Sequence, residues 1–193
     1  MKTVFLDRDG VINRNPPNMD YVRKWIDFSF VPSARSAIQQ LTQSGYRIFV
    51  VTNQSGIGRG LYSEEDLRDI HSRMTTQIAE AGGRIDAVYY CPHHPEAGCE
   101  CRKPKPGMLK RAAQEHNIDL SSAYFIGDVL TDIQAGRRAG TTTCLVLTGL
   151  GQQSYYDYIN AKYGRYGNKE ECCPDKIFTN LYAATRWLRF FNT

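Results

Sequence analysis

The chain reads as a doubly wound α/β domain built on a mainly parallel sheet, and three features of the sequence predict it. Short apolar runs rich in β-branched and aromatic residues alternate with longer stretches of helical periodicity. The runs are apolar throughout instead of alternating, as in strands covered on both faces. Several of them also end in acids, hydroxyls or amides, which a parallel sheet gathers beyond the carboxyl ends of its strands.

Taken in order, the run Thr3–Leu6 leads into Asp7 and Asp9. A helix over Pro32–Ser44 follows, with Gly45 where a helix C-terminal glycine belongs. Arg47–Thr52 is the second strand and delivers Thr52 and Asn53. Ser63, with Asp66 three residues on, opens a capped helix over Ser63–Ala81. Ala87–Tyr90 is the third strand, and Pro106 begins a helix that runs to Asn117. Ala123–Gly127 runs into Asp128; the helix Asp132–Ala139 then stops at Gly140 before a strand at Thr142–Leu147.

The Tyr- and Gly-rich stretch from about 151 to 176 has weak periodicity. It is expected to be an irregular extension ahead of a final helix near Asn180–Phe190. Residues 1–193 are expected to form a single domain. Between the first two strands there is room for one loop and one helix but not for a large cap domain, so the site should be open. Its walls should be the loop Arg14–Asp20 and the cysteine-rich loop 91–101.

At 193 residues, 41% hydrophobic and 23% charged, the composition is that of an ordinary soluble protein. The formal charge of +4 suits an anionic small molecule or simply a slightly basic surface. No dense Lys/Arg tract with interleaved aromatics points to nucleic acid, and no stretch is apolar and long enough to span a membrane. The first apolar run is too short for a signal-peptide core, so a cytoplasmic location is expected. A monomer acting on a small molecule is the expected state.

Asp7 and Asp9 stand two apart at a strand end, so their side chains can project to one side. Alone the pair is no better than a turn, since Asp commonly opens turns. Two close carboxylates persist at low cost beside a divalent cation, and hard oxygen ligands suit Mg²⁺. Thr52-Asn53-Gln54-Ser55-Gly56 ends the second strand with a hydroxyl, amides and a loop able to offer backbone N–H groups to a phosphoryl group. Arg102-Lys103-Pro104 places cations ahead of a helix, either as a solvated basic turn or as charge beside Asp7. Asp128 is placed to be a third metal carboxylate. Asp132 can hold the lysine, hold the metal's water shell, or stabilise its own helix N-terminus.

The six cysteines are not expected to form disulfides in a reducing compartment. Cys91-Pro92-His93-His94 and Cys99-Glu100-Cys101 give the spacing C-x-H-x₅-C-x-C, a ligand set for a closed, structural zinc site. Surface thiols or a redox pair are the alternatives, and spacing alone allows either His93 or His94. Cys172 and Cys173 have no evident role.

The ordered set Asp-x-Asp, Thr-Asn, Lys and Gly-Asp-x-x-x-Asp, from Thr3 to Gly149, resembles the haloacid dehalogenase-like phosphohydrolases. The resemblance implies a Rossmann-like fold and a Mg²⁺-dependent phosphatase. In it Asp7 is the nucleophile, Asp9 the acid/base, and Thr52 and Lys103 hold phosphoryl oxygens. Asp7, the Asp9 carbonyl and Asp128 hold the Mg²⁺, with Asp132 in support. Asp7-Arg8-Asp9-Gly10, Thr52–Ile57, Cys91–Pro95 and Cys101–Pro104 narrow the likeness to the zinc-containing D-glycero-D-manno-heptose 1,7-bisphosphate 7-phosphatases of heptose biosynthesis. The histidinol-phosphate phosphatases share most of this framework.

By this likeness Cys91, His93, Cys99 and Cys101 bind Zn²⁺, and Asn53, Gln54, Ser55 and Arg102 contact a small phosphorylated sugar. Val129 departs from the Lys common in the heptose group, and the stretch after 151 has no counterpart there. A zinc-stabilised binding protein without catalysis is the reading from another class.

Overall fold

The structure is a computed structural model that describes residues 2–16, 20–160 and 167–191. Its strands are β1 (Thr3–Leu6), β2 (Arg47–Asn53), β3 (Ala87–Cys91), β4 (Ala123–Gly127), β5 (Thr142–Val146) and β6 (Lys176–Phe178). They form one sheet in the order β3-β2-β1-β4-β5-β6, every pair parallel. The helices are α1 (Ala34–Gln43), α2 (Glu64–Glu80), α3 (Gly107–His116), α4 (Leu130–Ala139), α5 (Gly151–Ile159), α6 (Lys169–Cys172) and α7 (Leu181–Phe191).

The strand order reverses about β1, whose neighbours β2 and β4 come from opposite halves of the chain. Leu6 pairs in register with both Val50 and Ile126. The Asp7 amide continues the ladder to the Ile126 carbonyl at 2.9 Å. Asp7, Thr52 and Asp128 therefore leave the sheet at nearly one level, at the crevice where open α/β sheets bind ligands.

Alternation along the strands explains why they read as unbroken apolar runs. Val4, Leu6, Ile48, Val50 and Ile126 pack under α1, α2 and α7, while Phe5, Phe49, Val51 and Phe125 pack on the other face against Leu109 and Ala135. Between β1 and β2 lie a 3₁₀ turn at Trp25–Asp27 and α1. Ser63 caps α2 as expected, its hydroxyl accepting from the Asp66 amide at 3.1 Å.

The stretch after residue 151 differs from expectation. Residues 151–159 form α5, 169–172 form α6 and 176–178 add the edge strand β6; residues 161–166 lie outside the described residues. Only Gly151 and Ser154 of α5 are buried, so the helix carries no apolar stripe for a periodicity search to find. It docks through backbone: a Cβ on Gly151 would overlap the Val146 carbonyl. Cys172, fully buried on α6, helps seat that helix, and Glu171 pairs with Arg138 of α4 at 2.8 Å. The Tyr158 hydroxyl lies 3.1 Å from the Cys173 sulfur. Of the loop Arg14–Asp20, Pro17–Met19 fall outside the described residues.

If α5 is held by this close approach, Gly151→Ala costs about 1–3 kcal/mol through overpacking. Urea unfolding of the variant should show that loss, and an unchanged midpoint would refute the docking mode.

Candidate active site

Lys103 is the hub of the polar cluster at the strand ends. Its ammonium, 3% exposed, donates to Asp7 Oδ1 at 2.8 Å, to the Val51 carbonyl at 2.9 Å, and pairs with Asp132 Oδ1 at 2.7 Å. Its three donors thus have three acceptors. Burial opposes its charge, but Asp132 and Asp7 outweigh that and hold its pKa above the usual lysine range. Asp132 also accepts from the Val129 amide at 3.2 Å, so it both grips the lysine and caps α4.

Asp7, Asp128 and Asp132 are buried and can bring one carboxylate oxygen each within 4.8 Å of one another. Burial, with the neighbouring acids Asp132 and Asp9, raises the Asp7 pKa from 3.8 to about 7 although Lys103 opposes the shift. Asp128 is likewise raised, by burial first and then by Asp7 and Asp132. Asp128 is fixed by the Leu150 amide at 2.7 Å. Gly10, at φ +85°, lies so close that a Cβ there would overlap the Asp128 carboxylate. The donor set is oxygen only and carries more negative charge than one lysine neutralises, which fits a hard divalent cation.

Asp9 is treated differently. Its side chain is 29% exposed, and its carboxylate accepts from Arg8 at 2.9 and 3.0 Å, Asn13 at 2.9 Å and Gln54 at 2.8 Å. Burial pulls its pKa up, but Arg8 and these hydrogen bonds win and hold it below the usual carboxylate range. Behind it stands a buried tier. Arg8 contacts His71 Nε2 at 3.2 Å, and the Tyr62 hydroxyl donates to Gln54 Oε1 at 2.7 Å. Burial, with the Arg8 charge, pushes the His71 pKa down to about 3, so His71 is a neutral acceptor.

The expected phosphate loop divides in the same way. Thr52 Oγ1 accepts from Gln54 Nε2 at 2.9 Å, which leaves its proton free for a ligand oxygen. Gln54 is 2% exposed and spends its amide on Asp9, Thr52, Tyr62 and Arg8, so it is a brace behind the site. Ser55 is buried near the Tyr21 hydroxyl, 3.3 Å away. Asn53 bonds the Lys103 backbone in both directions at 3.1 Å, yet lines the cavities as well. A recess of about 130 Å³ over Asp7, Asp9, Thr52 and Lys103 adjoins a larger cavity of about 400 Å³ lined by Arg102 and α5. Val129 and Thr131 line both, and Asn15 of the Arg14–Asp20 loop lines the smaller.

The second cluster is sulfur-rich. Cys91 Sγ lies 3.6 Å from both Cys99 Sγ and His93 Nδ1, Cys101 lies 3.5 Å from Cys99, and His93 Nδ1 lies 3.2 Å from Cys101. Thiolates about 2.3 Å from one tetrahedral zinc are about 3.8 Å apart, so these spacings fit. His94 instead caps the 3₁₀ turn at Pro95–Ala97, accepting from the Glu96 amide at 3.3 Å. His93 is therefore the histidine in the cluster.

Sequence reasoning missed the Tyr62–His71 tier, the Val51 carbonyl and the Leu150 amide. Arg8 and Gly10 lay within a recognised motif. Backbone groups and residues on α2 left no local signal.

Asp7 at the carboxyl end of β1 and Asp132 in the first turn of α4, joined by Lys103 and flanked by Asp128 at the end of β4, agree with what comparison with known proteins shows. The haloacid dehalogenase-like hydrolase profile matches residues 15–140, and a HAD-hydrolase-like profile matches 100–184. The chain belongs to the haloacid dehalogenase-like hydrolases, and it is a phosphatase.

Among its relatives is a D-glycero-β-D-manno-heptose-1,7-bisphosphate 7-phosphatase of Pseudomonas aeruginosa. It is 43% identical over 148 residues, 77% of this chain and 82% of the relative. The protein of the same name from Pseudomonas putida is 42% identical over 154 residues, 80% of this chain and 87% of the relative. The crystal structure of D,D-heptose 1,7-bisphosphate phosphatase from Bordetella bronchiseptica, complexed with magnesium and phosphate, is also similar. It superposes with a TM-score of 0.86 at 36% identity, covering 97% of this chain and 98% of that one. Among the described residues no helix is long and apolar enough to cross a membrane.

Because Asp7 takes up its proton more readily when folded, its contribution to stability is present below about pH 4 and lost as pH rises through about 7. A cation needs these carboxylates ionised and removes their repulsion. The gain in melting temperature on adding Mg²⁺ should therefore grow between pH 6 and pH 8. An equal gain at both would show that the ion binds elsewhere.

Proposed function

We propose that the chain hydrolyses a phosphomonoester through an aspartyl-phosphate on Asp7, and that it removes the 7-phosphate of D-glycero-D-manno-heptose 1,7-bisphosphate. The observation that carries the chemistry is the buried Lys103 bridge, which fixes Asp7 beside Asp128 and Asp132. Support for the substrate comes from the named relatives, each covered over most of its length.

Lys103 occupies Asp7 Oδ1, so Oδ2 is the attacking oxygen. It bonds to phosphorus as the phosphorus–alkoxide bond breaks, and Asp9 gives the leaving oxygen its proton. Asp9 then takes a proton from water. The resulting hydroxide attacks phosphorus, breaking its bond to Asp7 and restoring the carboxylate. The free Thr52 proton and the Lys103 charge hold phosphoryl oxygens. Asp7, Asp128 and the Asp9 carbonyl would hold Mg²⁺, which supplies charge neutralisation to the phosphoryl group. Cys91, His93, Cys99 and Cys101 would hold Zn²⁺ as a structural cross-link, because four protein ligands leave no open position.

Asp7→Asn should abolish phosphate release while circular dichroism stays native; residual turnover at the wild-type rate would remove Asp7 as nucleophile. With wild type, heptose 1,7-bisphosphate should exceed histidinol phosphate in kcat/KM, and the reverse order would overturn the substrate assignment. Protein purified without added metal should carry about one zinc per chain. Stripping it should lower the melting temperature, whereas metal-free, fully stable protein would discard the site.

A further inference from the structure

We propose that α5 is the sugar-reading wall of the substrate cavity, with Asp157 and Gln153 accepting hydrogen bonds from the hydroxyls of a phosphorylated polyol whose distal anion rests on Arg102. This rests on the sugar-phosphate reading above and adds to it the residues that select the substrate.

The cavity of about 400 Å³ shares Asn53, Lys103, Val129, Thr131 and Leu150 with the recess over Asp7, and its lining holds two kinds of polar group. Arg102 is the first. Its Nη1 is buried and, among the described residues, has no hydrogen-bond partner. Among the described residues no acid pairs with the guanidinium, whose remaining donors can take a ligand oxyanion in the cavity.

Gln153, Ser154 and Asp157 of α5 supply the second. Gln153 Nε2 donates to Asp157 Oδ1 at 2.8 Å. That bond orients the pair and leaves Asp157 Oδ2 and Gln153 Oε1 as acceptors. On an open helix face such a pair would be a minor i,i+4 contact. Here it lines a cavity that shares walls with the recess over Asp7.

Acceptors of this kind want hydroxyl donors, and the Asp157 charge repels a second phosphate from the α5 side. A polyol bisphosphate is thereby aligned with its reacting phosphate over Asp7, its hydroxyls along α5 and its other phosphate on Arg102. Val129 and Thr131, between the two spaces, give the chain of the sugar an uncharged passage.

The test compares kcat/KM for heptose 1,7-bisphosphate and for 4-nitrophenyl phosphate, which has no hydroxyls. In Asp157→Ala the ratio between them should fall about tenfold, the loss of one hydrogen bond to a charged group, with the change mainly in the sugar's KM. Tyr155→Ala, on the same helix but outside the cavity lining, should leave the ratio where it was. An unchanged ratio in Asp157→Ala, or an equal fall for both substrates, overturns the inference while the substrate assignment stands. Wild type that cleaves the aryl ester but not the bisphosphate overturns the substrate assignment, and the inference with it.

Discussion

Lys103 carries its ammonium into a region with almost no solvent, and it can do so because three acceptors converge there, from the end of β1, from the β2 backbone and from the first turn of α4. An unpaired buried charge would cost several kcal/mol. Each partner depends on the lysine in return. Without it, Asp7 and Asp132 would face each other and Asp128 with no counter-charge in the protein. The parallel register of β1 with β2 and β4 makes the convergence possible, and the charge bridge is what makes it tolerable.

Control of Lys103 reaches outward to the cysteine loop. Lys103 lies two residues after Cys101, and Asn53 clamps its backbone from β2 in both directions. The same loop meets the phosphate loop at two further points. The Gln54 amide donates to the Cys91 carbonyl, and the Gly58 amide to the Pro92 carbonyl, each at 2.8 Å. A metal held by this cluster would therefore order residues 91–101 and set the position of Lys103 as well as of the loop that carries Thr52 and Gln54. A structural ion there would act on the proposed catalysis through geometry, without touching substrate.

The sheet was legible from the sequence because its four central strands, β1, β2, β4 and β5, are buried on both faces and so read as apolar runs. The site was legible wherever a reactive side chain stands directly at a strand end, as Asp7, Thr52 and Asp128 do. Gln54 shows the limit: its place in a motif does not distinguish a ligand-facing amide from one turned inward to brace Asp9. Helix α5 was illegible for a different reason. It is seated by Gly151 and Ser154 and presents tyrosines to solvent, so the residues that dock it are those with the least hydrophobic signal. His71 and Tyr62 act through Arg8 and Gln54 at sequence separations that no local pattern spans.

Asp7 and Asp9 show how one dipeptide step yields two chemistries. The protein's own groups set their proton affinities opposite to what the proposed reaction needs. Asp7, the nucleophile, is raised to about 7, while Asp9, the acid, is held ionised by Arg8, Asn13 and Gln54. Each ligand corrects one of them. A divalent cation beside Asp7 and Asp128 favours their charged forms, and a phosphoryl dianion beside Asp9 opposes the field of Arg8 and raises its affinity for a proton. In the proposed reaction the two together would give an ionised Asp7 and a protonated Asp9. The environment that separates the two carboxylates would thus also tie the proposed activation to substrate and metal.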